Sequence, residues 1–182
     1  EGNDSRGIDV ALLSRLPVVY QRSHARRTFG ALGVAPPRGN SVNDYAFRRD
    51  CLEVDVMKDG RVLTLFVCHF KSMHGGRKKT RNVRLAEAVD LACRAIPDAF
   101  DRWTHHYPED DTYGALDHIL LSPRLAAQNP APATRIIRAG SPYHAARYTG
   151  PRFPGIGWMA PKASDHCPMA ATIKFEGRPL SA

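Results

Sequence analysis

The apolar residues of this chain recur mostly in short runs that alternate with polar residues and end at Pro, Gly or Asp. Two such runs, residues 51–57 and 62–70, are separated by a polar segment that contains Asp59 and Gly60. Since Asp-Gly favours a tight hairpin turn, this pattern predicts two neighbouring antiparallel strands. Apolar runs bounded by turn-forming residues predict further strands over residues 8–14, 116–122, 134–138 and 169–175.

Residues 80–96 have helical periodicity instead, with apolar side chains on one face and charged side chains on the other. Thr80 can cap the start of this helix, and Pro97 follows its end. Residues 139–163 are rich in Gly and Pro and predict a long loop. A chain of 182 residues with this pattern predicts one domain of the α/β or α+β class, covering residues 1–182.

The charge balance indicates an anionic partner. Lys and Arg number 26 against 18 Asp and Glu, which gives a net charge of +8. Such an excess favours phosphates, nucleic acid or an anionic membrane surface. No apolar run is long enough to predict a membrane-spanning helix. The four cysteines lack a Cys-x-x-Cys spacing, which argues against a structural zinc protein and leaves free thiols and disulfides both open, and with them the compartment.

Three groups of chemically active side chains stand at or near the ends of predicted strands. His69 closes one strand, Asp117 interrupts the apolar run of another, and Asp165 with His166 precedes the last strand. Each group alone is explained by ordinary surface, capping or turn chemistry. Together they supply an acid–imidazole pair, a second imidazole and a buried carboxylate, which is the chemistry that hydrolysis of a phosphate ester requires.

The order and spacing of these residues resemble the endonuclease/exonuclease/phosphatase superfamily, which includes deoxyribonuclease-I-like, exonuclease-III-like and sphingomyelinase-like enzymes. The similarity spans residues 6–175, nearly the whole chain. It rests on an Arg-Gly strand that begins at Arg6, on His69-Phe70-Lys71-Ser72, on an Arg-x-x-Glu pair at Arg84 and Glu87, on Leu116-Asp117-His118, and on Ser164-Asp165-His166-x-Pro168.

The resemblance implies a four-layered sandwich of two mixed β-sheets flanked by helices. It also implies a divalent-metal-dependent hydrolase of phosphate esters, with Mg²⁺ as the cofactor and Mn²⁺ or Ca²⁺ as alternatives. His166 would be the catalytic histidine close to the scissile phosphate, and Asp117 would orient its ring. Asp165 would help to bind the metal.

The resemblance assigns further residues to the substrate. His69 would contact the phosphate from the side opposite His166. Family members often pair that histidine with an acid at the start of the preceding strand, and Asp50 is the candidate here. Arg6 would reach the backbone of the substrate.

The chain departs from the family pattern in two places. It begins downstream of the strands that carry the family's metal-binding Glu, and no Asp-x-Asn follows the predicted helix. The sandwich would therefore lack its N-terminal strands and one internal strand. We expect residues of the protein to be omitted from this chain, including residues before Glu1, because the other motif residues are intact.

The leading functional prediction is a phosphodiesterase or nuclease that acts on nucleic acid. A basic loop over residues 75–81, which includes Arg77, fits a polyanionic substrate, although a solvated charge run before a helix explains it equally well. The alternatives are a catalytically silent phosphate- or nucleic-acid-binding module of the same fold, and a hydrolase of phospholipid or small-molecule phosphodiesters.

The segment over residues 103–107 is rich in aromatic and imidazole side chains. These side chains could stack on a base or line the mouth of the site. His105 and His106 are not expected to chelate one metal ion together, because neighbouring residues of a strand point to opposite faces.

Overall fold

The computed structural model describes residues 2–70, 102–130, 132–176 and 178–179. The chain divides into two compact units, Glu1–Leu91 with Phe175–Ala182 and Ala92–Lys174. The described strands and helix are β1 (Val18–Ser23), β2 (Cys51–Lys58), β3 (Arg61–Cys68), β4 (His105–Tyr107), β5 (Thr112–Gly114), α1 (Pro123–Gln128), β6 (Ala133–Ile136), β7 (Met169–Thr172) and β8 (Arg178–Pro179). The predicted helix over residues 80–96 lies outside these ranges, and the single-domain expectation stays a prediction.

The first unit contains a four-stranded antiparallel sheet in the order β1-β2-β3-β8. Its centre is the β2–β3 hairpin, in register from Cys51↔Cys68 to Lys58↔Arg61. Asp59 and Gly60 form the turn with φ angles of 50° and 70°, the left-handed pair that a type I′ turn needs. The predicted hairpin is therefore confirmed.

A buried cation organises the loops of the first unit. The side chain of Arg49 is 1% exposed, and its Nε donates to Asp4 Oδ2 at 3.0 Å. Its Nη1 donates to the carbonyl oxygen of Phe70 at 2.5 Å. A buried guanidinium is costly unless it is paired, so these contacts fix the N-terminal segment onto the sheet. The apolar core beside it is built on Phe29, Ala46, Phe47 and Cys51.

The second unit is built from two short antiparallel pairs, β4–β5 and β6–β7. Trp103, Ala145 and Cys167 form its buried core, and they come from three distant parts of the chain. The three cysteines that the structure describes, Cys51, Cys68 and Cys167, are free thiols. Among the described residues, no helix is long and apolar enough to cross a membrane.

Two predicted strands are wrong. Residues 8–14 form no strand, and no described strand pairs with them. Residues 116–122 form no strand: the first two amides of the run donate to the hydroxyl of Thr104, and Leu120 alone carries an isolated bridge. Pro123 does not simply end this run: it starts α1, which Ser122 caps. The strands predicted over residues 134–138 and 169–175 are present as the shorter β6 and β7.

The predicted α/β or α+β class and its four-layered sandwich of two mixed β-sheets flanked by helices are also wrong. The described residues contain one four-stranded sheet, two two-stranded sheets and a single six-residue helix, α1. The paired strands of the second unit are three or four residues long. Such small sheets offer no face on which a flanking layer of helices could pack, because a helix layer buries its apolar stripe against a broad sheet.

We predict that Gly60→Ala lowers the free energy of unfolding by about 1 kcal/mol, because an L-residue is strained at this φ angle of 70°. Urea unfolding curves measure the change. Asp59→Asn is the matched control at the neighbouring turn position, since Asn tolerates the left-handed region and should leave the midpoint unchanged. Equal losses in the two variants would contradict the assigned turn.

We predict that the stability provided by Asp4 is lost in acid. Hydrogen bonds from Arg6 hold the pKa of Asp4 well below its usual range, with Arg49 adding to the effect. A lowered pKa stabilises the fold above the unfolded-state pKa, near pH 4, and this contribution disappears as the pH falls through the folded-state value. Asp4→Asn should therefore be less stable than the wild type at neutral pH, and the difference should shrink below about pH 4.

Urea midpoints between about pH 3 and pH 7 test this prediction. Asp59→Asn again serves as the control, since it removes a carboxylate from an exposed turn of the same unit. A stability difference between Asp4→Asn and the wild type that stays constant with pH would show that the Asp4 carboxylate does not stabilise the unit through its charge.

Candidate active site

Two of the predicted site residues, Asp117 and His166, form an acid–imidazole pair. His166 Nδ1 lies 2.8 Å from Asp117 Oδ2 and 3.1 Å from Oδ1. Because an ionised carboxylate only accepts hydrogen bonds, Nδ1 carries the proton and Nε2 of the neutral ring has a free lone pair. The two side chains are 43% and 39% exposed, so the pair is open to a ligand.

A second imidazole, that of His105, packs edge-on against His166. The ring centroids are 4.9 Å apart at an interplanar angle of 74°, and the two residues form an isolated antiparallel bridge. Burial lowers the pKa of His105, and repulsion by His166, when that ring is protonated, lowers it further. His105 therefore stays neutral to lower pH than a free imidazole would.

Asp165 completes the cluster. Its Oδ2 lies 3.8 Å from His105 Nε2, and its side chain is 60% exposed. Burial acts to raise the pKa of Asp165, but a backbone hydrogen bond, the charge of Lys162 and the charges that His166 and His105 carry when protonated outweigh it, so the pKa is lowered. An exposed and ionised carboxylate thus borders the pair of rings.

Thr104 joins the segments that carry these side chains. It is fully buried, and its Oγ1 accepts hydrogen bonds from the amides of Leu116 at 3.0 Å and Asp117 at 3.1 Å. Its backbone N–H donates to Gly114 at 2.9 Å, and its carbonyl accepts from the N–H of Cys167 at 2.7 Å. One residue therefore positions the backbone at Asp117 and the backbone directly after His166.

The ligand atoms of this cluster show whether it suits the expected Mg²⁺. His105, Asp165 and His166 each offer one ligand atom, and these atoms lie within 4.8 Å of one another. Mg²⁺ and Ca²⁺ prefer oxygen donors, whereas two imidazoles with one carboxylate suit a transition-metal ion. The three residues therefore do not form a resident Mg²⁺ site, because Asp165 is the one oxygen donor among them.

A cavity of about 190 Å³ opens beside His166. It is smaller than sites for drug-sized ligands, which begin at about 300 Å³, so it suits a single ring or a small group. Its lining is mostly apolar, and it includes Ile137, Phe153, Ala163, His166, Cys167 and Pro168.

The other predicted site residues lie in the first unit, apart from Arg77, which is outside the described residues. The register Cys51↔Cys68 places Asp50 and His69 at the same end of the β2–β3 hairpin. The Asp50 carboxylate is buried and accepts hydrogen bonds from the N–H groups of His24 and Cys51. These bonds give Asp50 a structural role in capping the strand end.

Arg6, the residue expected to reach the substrate backbone, binds an acid of its own unit. Its Nε and Nη2 lie 3.1 Å and 3.2 Å from the carboxylate oxygens of Asp4. The Arg6 side chain is nevertheless 59% exposed, which leaves part of its guanidinium accessible to solvent.

The sequence pattern does not predict the contacts that two residues of the segment 103–107 make in the site. Nothing in the sequence around Thr104 indicates that its hydroxyl would receive two amides from a segment twelve residues away. His105 carried a signal, because it belongs to the aromatic and imidazole segment 103–107. Strand alternation separates its side chain from that of His106, but no local pattern predicts that the ring of His166 lies against it.

Comparisons of the chain with family models, with curated proteins and with solved structures find no match. The superfamily resemblance therefore rests on the motifs of the sequence, and it stays a prediction.

We predict that Thr104→Val lowers the free energy of unfolding by about 1–3 kcal/mol, because valine keeps the shape but leaves two amides without their acceptor. Hydrogen exchange at the amides of Leu116 and Asp117 should also be faster in Thr104→Val than in the wild type. Thr104→Ser keeps the hydroxyl and serves as the control. Protection of both amides in Thr104→Val equal to that in Thr104→Ser would rule out the assigned role.

Proposed function

We propose that the chain is a divalent-metal-dependent hydrolase of phosphodiester bonds, with nucleic acid as its substrate class and the His166–Asp117 pair as its acid–base centre. The observation that carries the proposal is the 2.8 Å contact between His166 Nδ1 and Asp117 Oδ2. This contact orients the ring and fixes its tautomer, so that Nε2 is available to exchange a proton with a ligand.

In the proposed reaction, water attacks phosphorus and the bond from phosphorus to the leaving oxygen breaks. His166 Nε2 accepts a proton from the attacking water or, when protonated, donates one to the leaving oxygen. Asp117 stabilises the imidazolium through the hydrogen bond at Nδ1. Neutral His105 packs against the same ring and limits its rotation.

A divalent cation is part of the proposal because the family resemblance implies one. When bound, it would neutralise charge on the phosphoryl oxygens. Of the described cluster, Asp165 is the residue whose exposed carboxylate would contact it. Because the cluster does not form a resident Mg²⁺ site, oxygens of the substrate would have to supply the remaining ligands.

Nucleic acid is favoured over other phosphodiesters by charge and by the surface around the cavity. The net charge of +8 attracts a polyanion. Phe153 lines the cavity beside His166, and the residue is 53% exposed. An exposed aromatic ring next to an acid–base pair is suited to stack on a base while the adjacent phosphate faces the imidazole.

The rate of hydrolysis by the His166→Ala variant, compared with that of the wild type, tests the proposal. The full chain is assayed on a fluorescent single-stranded oligonucleotide, its duplex and bis(p-nitrophenyl) phosphate, with EDTA, Mg²⁺, Mn²⁺ or Zn²⁺. We expect turnover in the wild type with at least one metal ion and a loss of about 10²-fold or more in His166→Ala. Asp117→Asn should lower the rate as well, because the asparagine amide can favour the other tautomer.

His118→Ala is the matched control, since His118 is an exposed histidine next to Asp117. It should keep the wild-type rate, and circular dichroism checks that each variant is folded. Full turnover in His166→Ala would exclude the assigned pair. Oligonucleotide binding without hydrolysis under every metal condition would favour the catalytically silent binding module instead.

A further inference from the structure

A second cluster of metal-ligating side chains lies on the other face of β4. His105 and His106 are neighbours on this strand, so their side chains point to opposite faces. The ring of His105 meets His166, whereas the ring of His106 meets Tyr113 at 4.7 Å and His144 at 5.3 Å between centroids.

The second cluster consists of His106, Asp111 and His144. His106 Nε2 lies 2.9 Å from Asp111 Oδ1, and one ligand atom from each of the three residues lies within 4.8 Å of the others. Ligands of a tetrahedral zinc ion, at about 2.0–2.2 Å from the metal, are about 3.3 Å apart. Small side-chain rotations would therefore bring the three atoms to coordinating distance.

Two buried nitrogens of this cluster are unsatisfied. The Nδ1 atoms of His106 and His144 are buried and have no hydrogen-bond partner among the described residues. A buried polar nitrogen without a partner costs free energy. A hydrogen bond between His106 and Asp111 accounts for the contact at His106 Nε2. It provides no partner for the Nδ1 atom of either His106 or His144. A metal ion that draws a ring nitrogen of His144 into coordination would compensate part of that cost.

We infer that His106, Asp111 and His144 form a binding site for a divalent transition-metal ion, with Zn²⁺ as the ion that their chemistry fits. Two imidazoles and one carboxylate form a mixed nitrogen and oxygen set that suits Zn²⁺ better than Mg²⁺ or Ca²⁺. The side chain of Asp111 is 62% exposed while that of His106 is 4% exposed. The site therefore opens to solvent on one side, where water can supply the fourth ligand.

The ion would connect segments that are distant in the chain. Asp111 belongs to the turn between β4 and β5, at a φ angle of 48°, whereas His144 lies in the irregular segment between β6 and β7. The backbone N–H of His144 donates to the carbonyl oxygen of Trp158 at 2.7 Å, and this bond holds the backbone of His144 in place. Zinc bound here would tie the β4–β5 hairpin to that segment and stabilise the second unit.

Zinc binding by the full chain tests this inference without any assay of turnover. The protein is stripped with EDTA and dialysed, and Zn²⁺ binding is measured by competition with a chromophoric chelator and by the thermal unfolding midpoint. Asp111→Asn should lose one equivalent of bound Zn²⁺, or about 10²-fold in affinity, together with the associated rise in midpoint. Asn tolerates the left-handed backbone at this position, so the variant should fold. His144→Ala should give the same loss.

Two controls separate this site from its neighbours. Glu109→Gln removes an exposed carboxylate from the same turn and should bind zinc like the wild type. Asp165→Asn alters the His105, Asp165 and His166 cluster and should keep the equivalent that Asp111→Asn loses. Unchanged binding in both Asp111→Asn and His144→Ala would overturn the inference. A loss confined to Asp165→Asn would assign the bound zinc to the other cluster and overturn it as well.

Discussion

The hydrogen bonds of Thr104 are the constraint on which the candidate site depends. Its N–H, its carbonyl and its hydroxyl all have partners, and these lie on β5, after His166 and at Asp117. Because Thr104 is fully buried, none of these bonds can be exchanged for water without opening the unit. The contact between Asp117 and His166 is consequently determined by the backbone rather than by two flexible side chains meeting at a surface.

The position of Thr104 also determines where the next two residues, His105 and His106, direct their side chains. With Thr104 fixed, strand alternation directs His105 toward His166 and His106 toward Asp111 and His144. One short strand therefore carries an imidazole into each of two clusters. Since both rings share one backbone segment, a ligand that fixes His106 also restricts the segment from which His105 projects.

The site forms on a scaffold unlike the sandwich that the motifs imply. The described sheets are small, yet Asp117, Asp165 and His166 come together in the second unit with His105 beside them. Asp50, His69 and Arg6 belong to the first unit, where Asp50 and Arg6 have local structural partners. The acid–base chemistry proposed for the second unit therefore rests on its own four side chains, whereas the divalent cation of the proposal rests on the family resemblance.

The sequence alone determined features that depend on neighbouring residues. Asp59 and Gly60 favour left-handed backbone, so the β2–β3 hairpin could be predicted from local propensity. The chemically active residues Asp117, Asp165 and His166 could be identified by type and order. The strand predicted over residues 116–122 is wrong, because an apolar run indicates burial and does not reveal to which acceptor its backbone amides donate. Only the tertiary structure brought Thr104 to those amides and separated His105 from His106 into two clusters, since such contacts join segments far apart in the chain and no local pattern encodes them.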